Sequence, residues 1–324
     1  MISPCLSIIV PVYNVEKYIF KCLNSIFSQN IDSSLYEVIV VNDGTLDNSM
    51  QIVDKFVLKY NNLFVINQEN QGLSMARNNG KKIAKGKYIW FVDSDDWIEQ
   101  NSIQEIFSII EKNDVDVISM LANRIEEISG KIKKDAFSRF LAGKLICSGK
   151  EYLFDEGHES PSQLFVFKRK FLEDNNLNFM YGIKHEDNEF GIRCLYLANK
   201  VYMFNNHTYN YLLRNSGSIM SSFGVGNVKS IIKIIESLIR FESCIDEKEI
   251  VRYRSLVAGT IVGFSQLIKK SRFPLEKSEY HELSEVLKKY IDKYILYHIK
   301  SKHFAIRRIK EYLVVKIYFF RLYN

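Results

Sequence analysis

The chain has 324 residues, 47% hydrophobic and 25% charged, ordinary values for a globular protein with room for one large domain and an appendage, or for two domains. Its charge is uneven: residues 225–324 carry 20 basic against 11 acidic side chains, net +9, whereas residues 1–224 carry 24 against 27, net −3. Five cysteines, an odd number without CxxC or Cys/His ligand spacing, argue for reduced, scattered thiols and suggest neither a disulfide framework nor a zinc site.

In chain order, the first 120 residues alternate short β-branched runs with helical patterns. Strands are predicted at Leu6 to Val12, Val38 to Val41, Phe64 to Ile66, Tyr88 to Val92 and Val115 to Ser119. Between the first two, Ile19, Cys22, Leu23, Ile26 and Phe27 recur at helical spacing, with Asn14 available as a cap. Continuous apolar strands separated by helices imply an α/β fold with a mostly parallel sheet covered on both faces. From 121 to 215 the pattern is less regular, with a strand at Leu164 to Phe167, a helix from about Glu186 and a strand ending near Arg214. After Gly224 and Gly226 the sequence reads as helix, broken at Pro274. The expected organisation is an α/β domain over 1–224 and a basic helical region over 225–324.

Ligands of an open parallel sheet bind beyond the carboxyl ends of its strands. Here those positions hold Pro11-Val12-Tyr13-Asn14, Asn42-Asp43-Gly44-Thr45 and Asp93-Ser94-Asp95-Asp96. Three carboxylates within four residues repel one another, and a hard divalent cation, Mg²⁺ or Mn²⁺, would relieve this; an acidic turn or cap is the plainer alternative. Asp43 precedes a glycine suited to a sharp turn, and its carboxylate serves either a nucleotide or the start of the helix predicted from about Asp47. Tyr13 offers a flat face to a base, or simply packs. Arg77, in a polar segment from Asn70 to Gly80, either presents its guanidinium fork to a diphosphate or is an exposed helical arginine.

Together, Ser7 to Asn14, Val40-Val41-Asn42-Asp43-Gly44, Gly72 with Ala76-Arg77-Asn78, and Asp93 to Asp96 resemble, in order and spacing, the family 2 glycosyltransferases with the GT-A fold. The likeness extends through Glu186-Asp187, Phe190, Tyr211, Arg214 and Ser218, and is closest in character to bacterial members that build capsular and other surface polysaccharides. The resemblance implies an inverting enzyme that uses a nucleotide-diphosphate sugar, often UDP-linked, with Mn²⁺ or Mg²⁺, and a saccharide or lipid-linked saccharide acceptor. It implies that Pro11, Tyr13, Asp43 and Arg77 line the nucleotide pocket, Asp93 and Ser94 meet the ribose and diphosphate, Asp95 binds metal, and Asp187 or Glu186 is the base. Two departures stand out: Thr45-Leu46-Asp47 replaces the family's usual Ser-Thr-Asp run, and His185 before the acid pair reads as a helix-entry residue.

A dinucleotide-dependent oxidoreductase would share the alternation but should carry GxGxxG after the first strand, where Pro11-Val12-Tyr13-Asn14 stands. A non-catalytic nucleotide-sugar-binding module is the other alternative. Residues 299–324 hold seven basic side chains against Glu311 alone, with Ile306, Ile309, Leu313, Ile317 and Phe320 at helical spacing. Such a helix suits an anionic membrane surface or packs on protein. No nucleic-acid recognition motif is present. No basic region precedes the first apolar run and no stretch reaches the roughly 20 apolar residues of a membrane span. The expected location is cytoplasmic, peripheral at the inner face of the membrane.

Overall fold

The computed structural model describes residues 4–134, 145–155, 161–215 and 225–271. Ser218, Gly224, Pro274 and the basic segment 299–324 therefore lie outside the described residues. In chain order the main elements are β1 (Leu6–Val12), α1 (Ile19–Phe27), β2 (Tyr36–Asn42), α2 (Ser49–Val57), β3 (Leu63–Asn67), α3 (Leu73–Ile83), β4 (Tyr88–Phe91), β5 (Trp97–Ile98), α4 (Ser102–Lys112) and β6 (Val117–Glu126). They continue with β7 (Ile132–Lys134), β8 (Ile146–Cys147), α5 (Gly149–Asp155), β9 (Phe165–Lys168), α6 (Arg169–Asp174), α7 (Glu186–Leu197), β10 (Val201–Leu213), α8 (Val225–Phe241) and α9 (Ile250–Ser271).

One sheet runs in the order β3-β2-β1-β4-β9-β6-β10-β5, with β7 on β6 and β8 on β10. Strands β3, β2, β1 and β4 are mutually parallel. β9 runs antiparallel between β4 and β6, and β10 is parallel to β6. Every residue of β1 is buried, because helices cover both faces. Ile8 and Val10 join a core that includes Ile19, Leu23 and Ile26 of α1 and Ile103 and Ile106 of α4. Ile9 points the other way, where a Cβ on Gly80 of α3 would lie 2.4 Å from its Cγ2. That face continues as an aromatic cluster in which Phe91 meets Phe167 and Phe179, and Phe179 stacks on Phe190 at 3.9 Å. Each fully buried aliphatic or aromatic side chain removes apolar surface worth roughly 1.5–3 kcal/mol, so both faces of β1 and β4 anchor the site described below.

The expected strands occur where the apolar runs are. Asn14 does not cap α1, whose first flanking residue is Tyr18; Asn14 sits at φ 52 and its side chain accepts the Leu46 N–H instead. The helix expected from Asp47 begins at Ser49, because the Asp47 carboxylate binds the Ser49 N–H and hydroxyl from outside it. In the less regular middle, β6 extends to Glu126, beyond the expected Ser119, since the alternation weakens where its outer residues become exposed.

The described residues form two compact units, one of residues 4–182 with 190–215 and the other of 183–189 with 225–271. In the second, Val228, Ile231, Ile234, Ile235 and Leu238 make the buried stripe of α8, and Tyr253 of α9 donates to the Leu238 carbonyl at 2.6 Å. No helix among the described residues is long and apolar enough to cross a membrane.

Candidate active site

Parallel register brings the three polar clusters to one sheet edge. Val12 pairs with Asn42 at the ends of β1 and β2, and the Val92 N–H donates to the Ile9 carbonyl beside them. Pro11 is buried within β1, while Tyr13 just beyond it is 44% exposed.

Asp43 is buried and braces the loop that leads into α3. Its carboxylate accepts from Gln68 Nε2 at 2.7 Å, the Gln71 N–H at 2.8 Å and the Gly72 N–H at 2.9 Å. Gly44 has φ +68, as a sharp turn requires, and a Cβ there would sit 3.0 Å from the Asn70 nitrogen. The Thr45-Leu46-Asp47 departure is tied down by hydrogen bonds: the Thr45 hydroxyl accepts the Asn14 N–H and donates to Asp47, which also accepts the Glu16 N–H.

Arg77 is not an exposed helical arginine. It is 1% exposed, pairs with Asp93 Oδ1 at 2.7 Å and lies over the Phe179 ring at 5.1 Å. The side-chain amide of neighbouring Asn78 holds Phe179 in place, donating from Nδ2 to its carbonyl and accepting its N–H on Oδ1.

Asp93 to Asp96 form a turn closed by the Asp96 N–H on the Asp93 carbonyl at 3.1 Å. Ser94 is buried. Asp95, 24% exposed, pairs with Arg214 at 3.0 Å. Burial, reinforced by repulsion from Asp93, holds the Asp95 carboxyl above its usual range despite the Arg214 bond. Asp96 is buried and accepts from the Tyr209 hydroxyl at 2.8 Å and the Leu212 N–H at 2.8 Å. Burial, then the charges of Asp95 and Asp93, push its carboxyl well above the carboxylate range.

A divalent cation was expected to relieve the repulsion of three crowded carboxylates, and within the protein two arginines and neutral donors also meet them. Arg77 neutralises Asp93, Arg214 neutralises Asp95, and Asp96 is satisfied by hydroxyl and amide donors. Among the described residues no three His, Cys, Asp or Glu groups gather as a metal site. The donor chemistry nonetheless fits a hard divalent ion of the kind that takes one or two protein carboxylates and completes its shell with phosphate and water. Asp95, 24% exposed, is the carboxylate of the turn that could hold such an ion.

The acid pair opens α7. Glu186 is buried and Asp187 is partly exposed. His185, at φ 63, enters that helix: its carbonyl accepts the Asn188 N–H and its Nε2 lies 3.2 Å from Asn227 Nδ2. Burial, then Lys184, lowers its pKa, which keeps the ring neutral near pH 7.

Sequence reasoning did not find Tyr209, Phe179 or Tyr18, whose ring faces the Arg214 guanidinium at 4.6 Å. Their local patterns are those of ordinary packed aromatics, and only long-range pairing gives them a place at the site.

The sequence model described as Glycosyl transferase family 2 matches residues 7–176. The chain is 28% identical over 303 residues to the glycosyltransferase GlyG of Streptococcus pneumoniae, an alignment covering 87% of this chain and 92% of that one. It spans about half the length of other curated relatives that it matches. Among solved structures it is similar to S. aureus TarS 1–349 in complex with UDP-GlcNAc, with a TM-score of 0.61, 22% identity and 90% of each chain covered. It is also similar to the mannosyltransferase PcManGT from Pyrobaculum calidifontis in complex with GDP-Man and Mn²⁺, with a TM-score of 0.54, 14% identity and coverage of 94% and 89%. These two likenesses are of fold, the mostly parallel GT-A sheet flanked by helices.

Proposed function

Because the chain belongs to glycosyl transferase family 2, we propose that it transfers a sugar from a nucleotide-diphosphate donor, UDP-linked, to an acceptor hydroxyl with inversion, in the synthesis of a cell-surface polysaccharide. The observation that carries this reading is the turn Asp93 to Asp96 at the carboxyl edge of the parallel sheet, beside buried Arg77 and the loop braced by Asp43. The UDP-GlcNAc bound to TarS and the nucleotide sugar and Mn²⁺ bound to PcManGT support the donor class and the use of a divalent cation.

In this reading Tyr13 offers its exposed ring to the base, with Pro11 and Asp43 shaping the pocket. Arg77, Asp93 and Ser94 face the ribose and diphosphate, and Asp95 holds Mn²⁺ or Mg²⁺. When bound, that ion supplies neutralisation of the negative charge on the departing diphosphate. The acceptor hydroxyl has a high pKa, so a positioned carboxylate that takes its proton contributes roughly 10²- to 10⁴-fold. Asp187 is assigned that role on the family pattern; its partial exposure suits it better than buried Glu186, which stands as the alternative. A single base opposite the leaving group gives one displacement and inversion, by analogy with inverting glycosidases.

Asp187→Asn tests the base. Transfer should fall at least about hundredfold, measured by product formation, with UDP affinity by calorimetry close to wild type. An active Asp187→Asn enzyme contradicts the assignment.

A further inference from the structure

Strand β10 grips the acidic turn from the side, and the grip has a defined chemistry. The Tyr209 side chain is fully buried, its ring against Trp90 at 6.3 Å. Its hydroxyl accepts the Asp93 N–H at 3.1 Å and donates its one proton to Asp96 Oδ2 at 2.8 Å. Three residues on, the Leu212 N–H donates to the other Asp96 oxygen at 2.8 Å, and two further on Arg214 pairs with Asp95 at 3.0 Å. Pairing of Tyr209 with Ile98 and Asn210 with Trp97 carries the chain leaving the turn back onto the same strand. One phenol thus joins the first and last residues of the turn, and Asp95 lies between the joined points.

We propose that Tyr209 is a positioning residue for donor binding: through the Asp93 amide and the Asp96 carboxylate its hydroxyl sets the direction in which Asp93 and Asp95 present their oxygens to the diphosphate and its cation. This rests on the proposed reading of the turn as the donor site. Asp96 then has a purpose that the carboxylate pattern does not reveal, since both its oxygens are engaged with β10 and it is the anchor, not a ligand. Removing only the hydroxyl leaves the ring in its packing but strands the Asp93 N–H and one Asp96 oxygen in a dry interior, where an unmet polar group drives local rearrangement. Both stranded groups belong to the four-residue turn, which is where the rearrangement is expected.

The test is Tyr209→Phe against Tyr88→Phe. Tyr88 is a buried phenol of the same sheet whose hydroxyl donates to the Val115 carbonyl at 2.8 Å, away from the turn. Tyr209→Phe loses two buried hydrogen bonds and Tyr88→Phe one, so both should lose thermal stability. UDP titrated calorimetrically in the presence of Mn²⁺ should bind Tyr209→Phe on the order of tenfold more weakly, with Tyr88→Phe unchanged. Amide hydrogen exchange over residues 93–96 should accelerate only in the first. Asp96→Asn keeps the volume of the anchor but faces the β10 donors with an NH₂ group. It should weaken UDP binding in the same direction, and it carries the test if Tyr209→Phe does not fold. Wild-type affinity in Tyr209→Phe or, where that variant does not fold, in Asp96→Asn overturns the proposal. Failure of the wild-type chain to bind UDP with Mn²⁺ overturns the donor reading itself, and this inference with it.

Discussion

Asp93, Asp95 and Asp96 are near neighbours in sequence and meet three different environments. Asp93 is neutralised by a buried arginine and Asp95 by a partly exposed one, whereas buried Asp96 is hydrogen-bonded by uncharged donors. Chemistry at the turn follows from this division, because only a carboxylate reachable from solvent can exchange an internal partner for a cation. Burial, then Asp93, raises the Asp95 carboxyl above its ordinary value of 3.8, so its protonated form persists to a higher pH than that of a free aspartate. Proton and cation compete for the same oxygens. The Mn²⁺-dependent part of UDP affinity should therefore rise with pH, and do so above the pH at which a free aspartate ionises, in a calorimetric pH series. A profile without that rise contradicts Asp95 as the ligand. The carboxylates, Arg77 and the acid pair at 186–187 stood out in the sequence through their order and spacing together, since each alone also reads as an acidic turn, a helical arginine or a helix start. Tyr209 was not legible, since it acts on a residue 113 positions away and reads locally as one more strand aromatic.

At the scale of elements, strand ends and the loops behind them make the site. β1, β2 and β4 are mostly apolar because both faces are covered, with buried Ser7 donating to Glu37 between β1 and β2, and the apolar runs made them readable from sequence. β10 was readable only at its end near Arg214: Asn205 and Asn206 are exposed, and the register against β6 shifts between Met203 and Tyr209, which breaks the alternation. The loop after β2 depends on Gly44. Its φ of +68 and the 3.0 Å approach of Asn70 leave no room for a side chain, and Asp43 next to it holds the Gln71 and Gly72 amides. Gly44→Ala should cost about 1–2 kcal/mol in chemical denaturation and weaken UDP binding. An alanine variant with unchanged stability contradicts the account of this turn.

For the whole molecule, the separation of charge is the feature that composition alone revealed. The described residues make an α/β unit with the candidate donor site and a second unit that contains α8, α9 and the start of α7. We propose that the basic segment 299–324, whose cationic side chains and apolar stripe suit an anionic lipid surface, holds the enzyme beside a lipid-linked acceptor. Vesicles containing anionic lipid should carry the full chain on flotation and leave behind a chain truncated after His298; equal flotation of both removes the segment from that role. The central claim is that the turn at Asp93 to Asp96 serves sugar transfer from a nucleotide-diphosphate donor. It is tested most directly by nucleoside diphosphate release from a panel of UDP-sugars with candidate saccharide acceptors, with and without Mn²⁺, in the wild type and in Asp95→Asn. The account predicts acceptor-stimulated, Mn²⁺-dependent release in the wild type and a loss of at least about hundredfold in Asp95→Asn; equal release by the two proteins would contradict it.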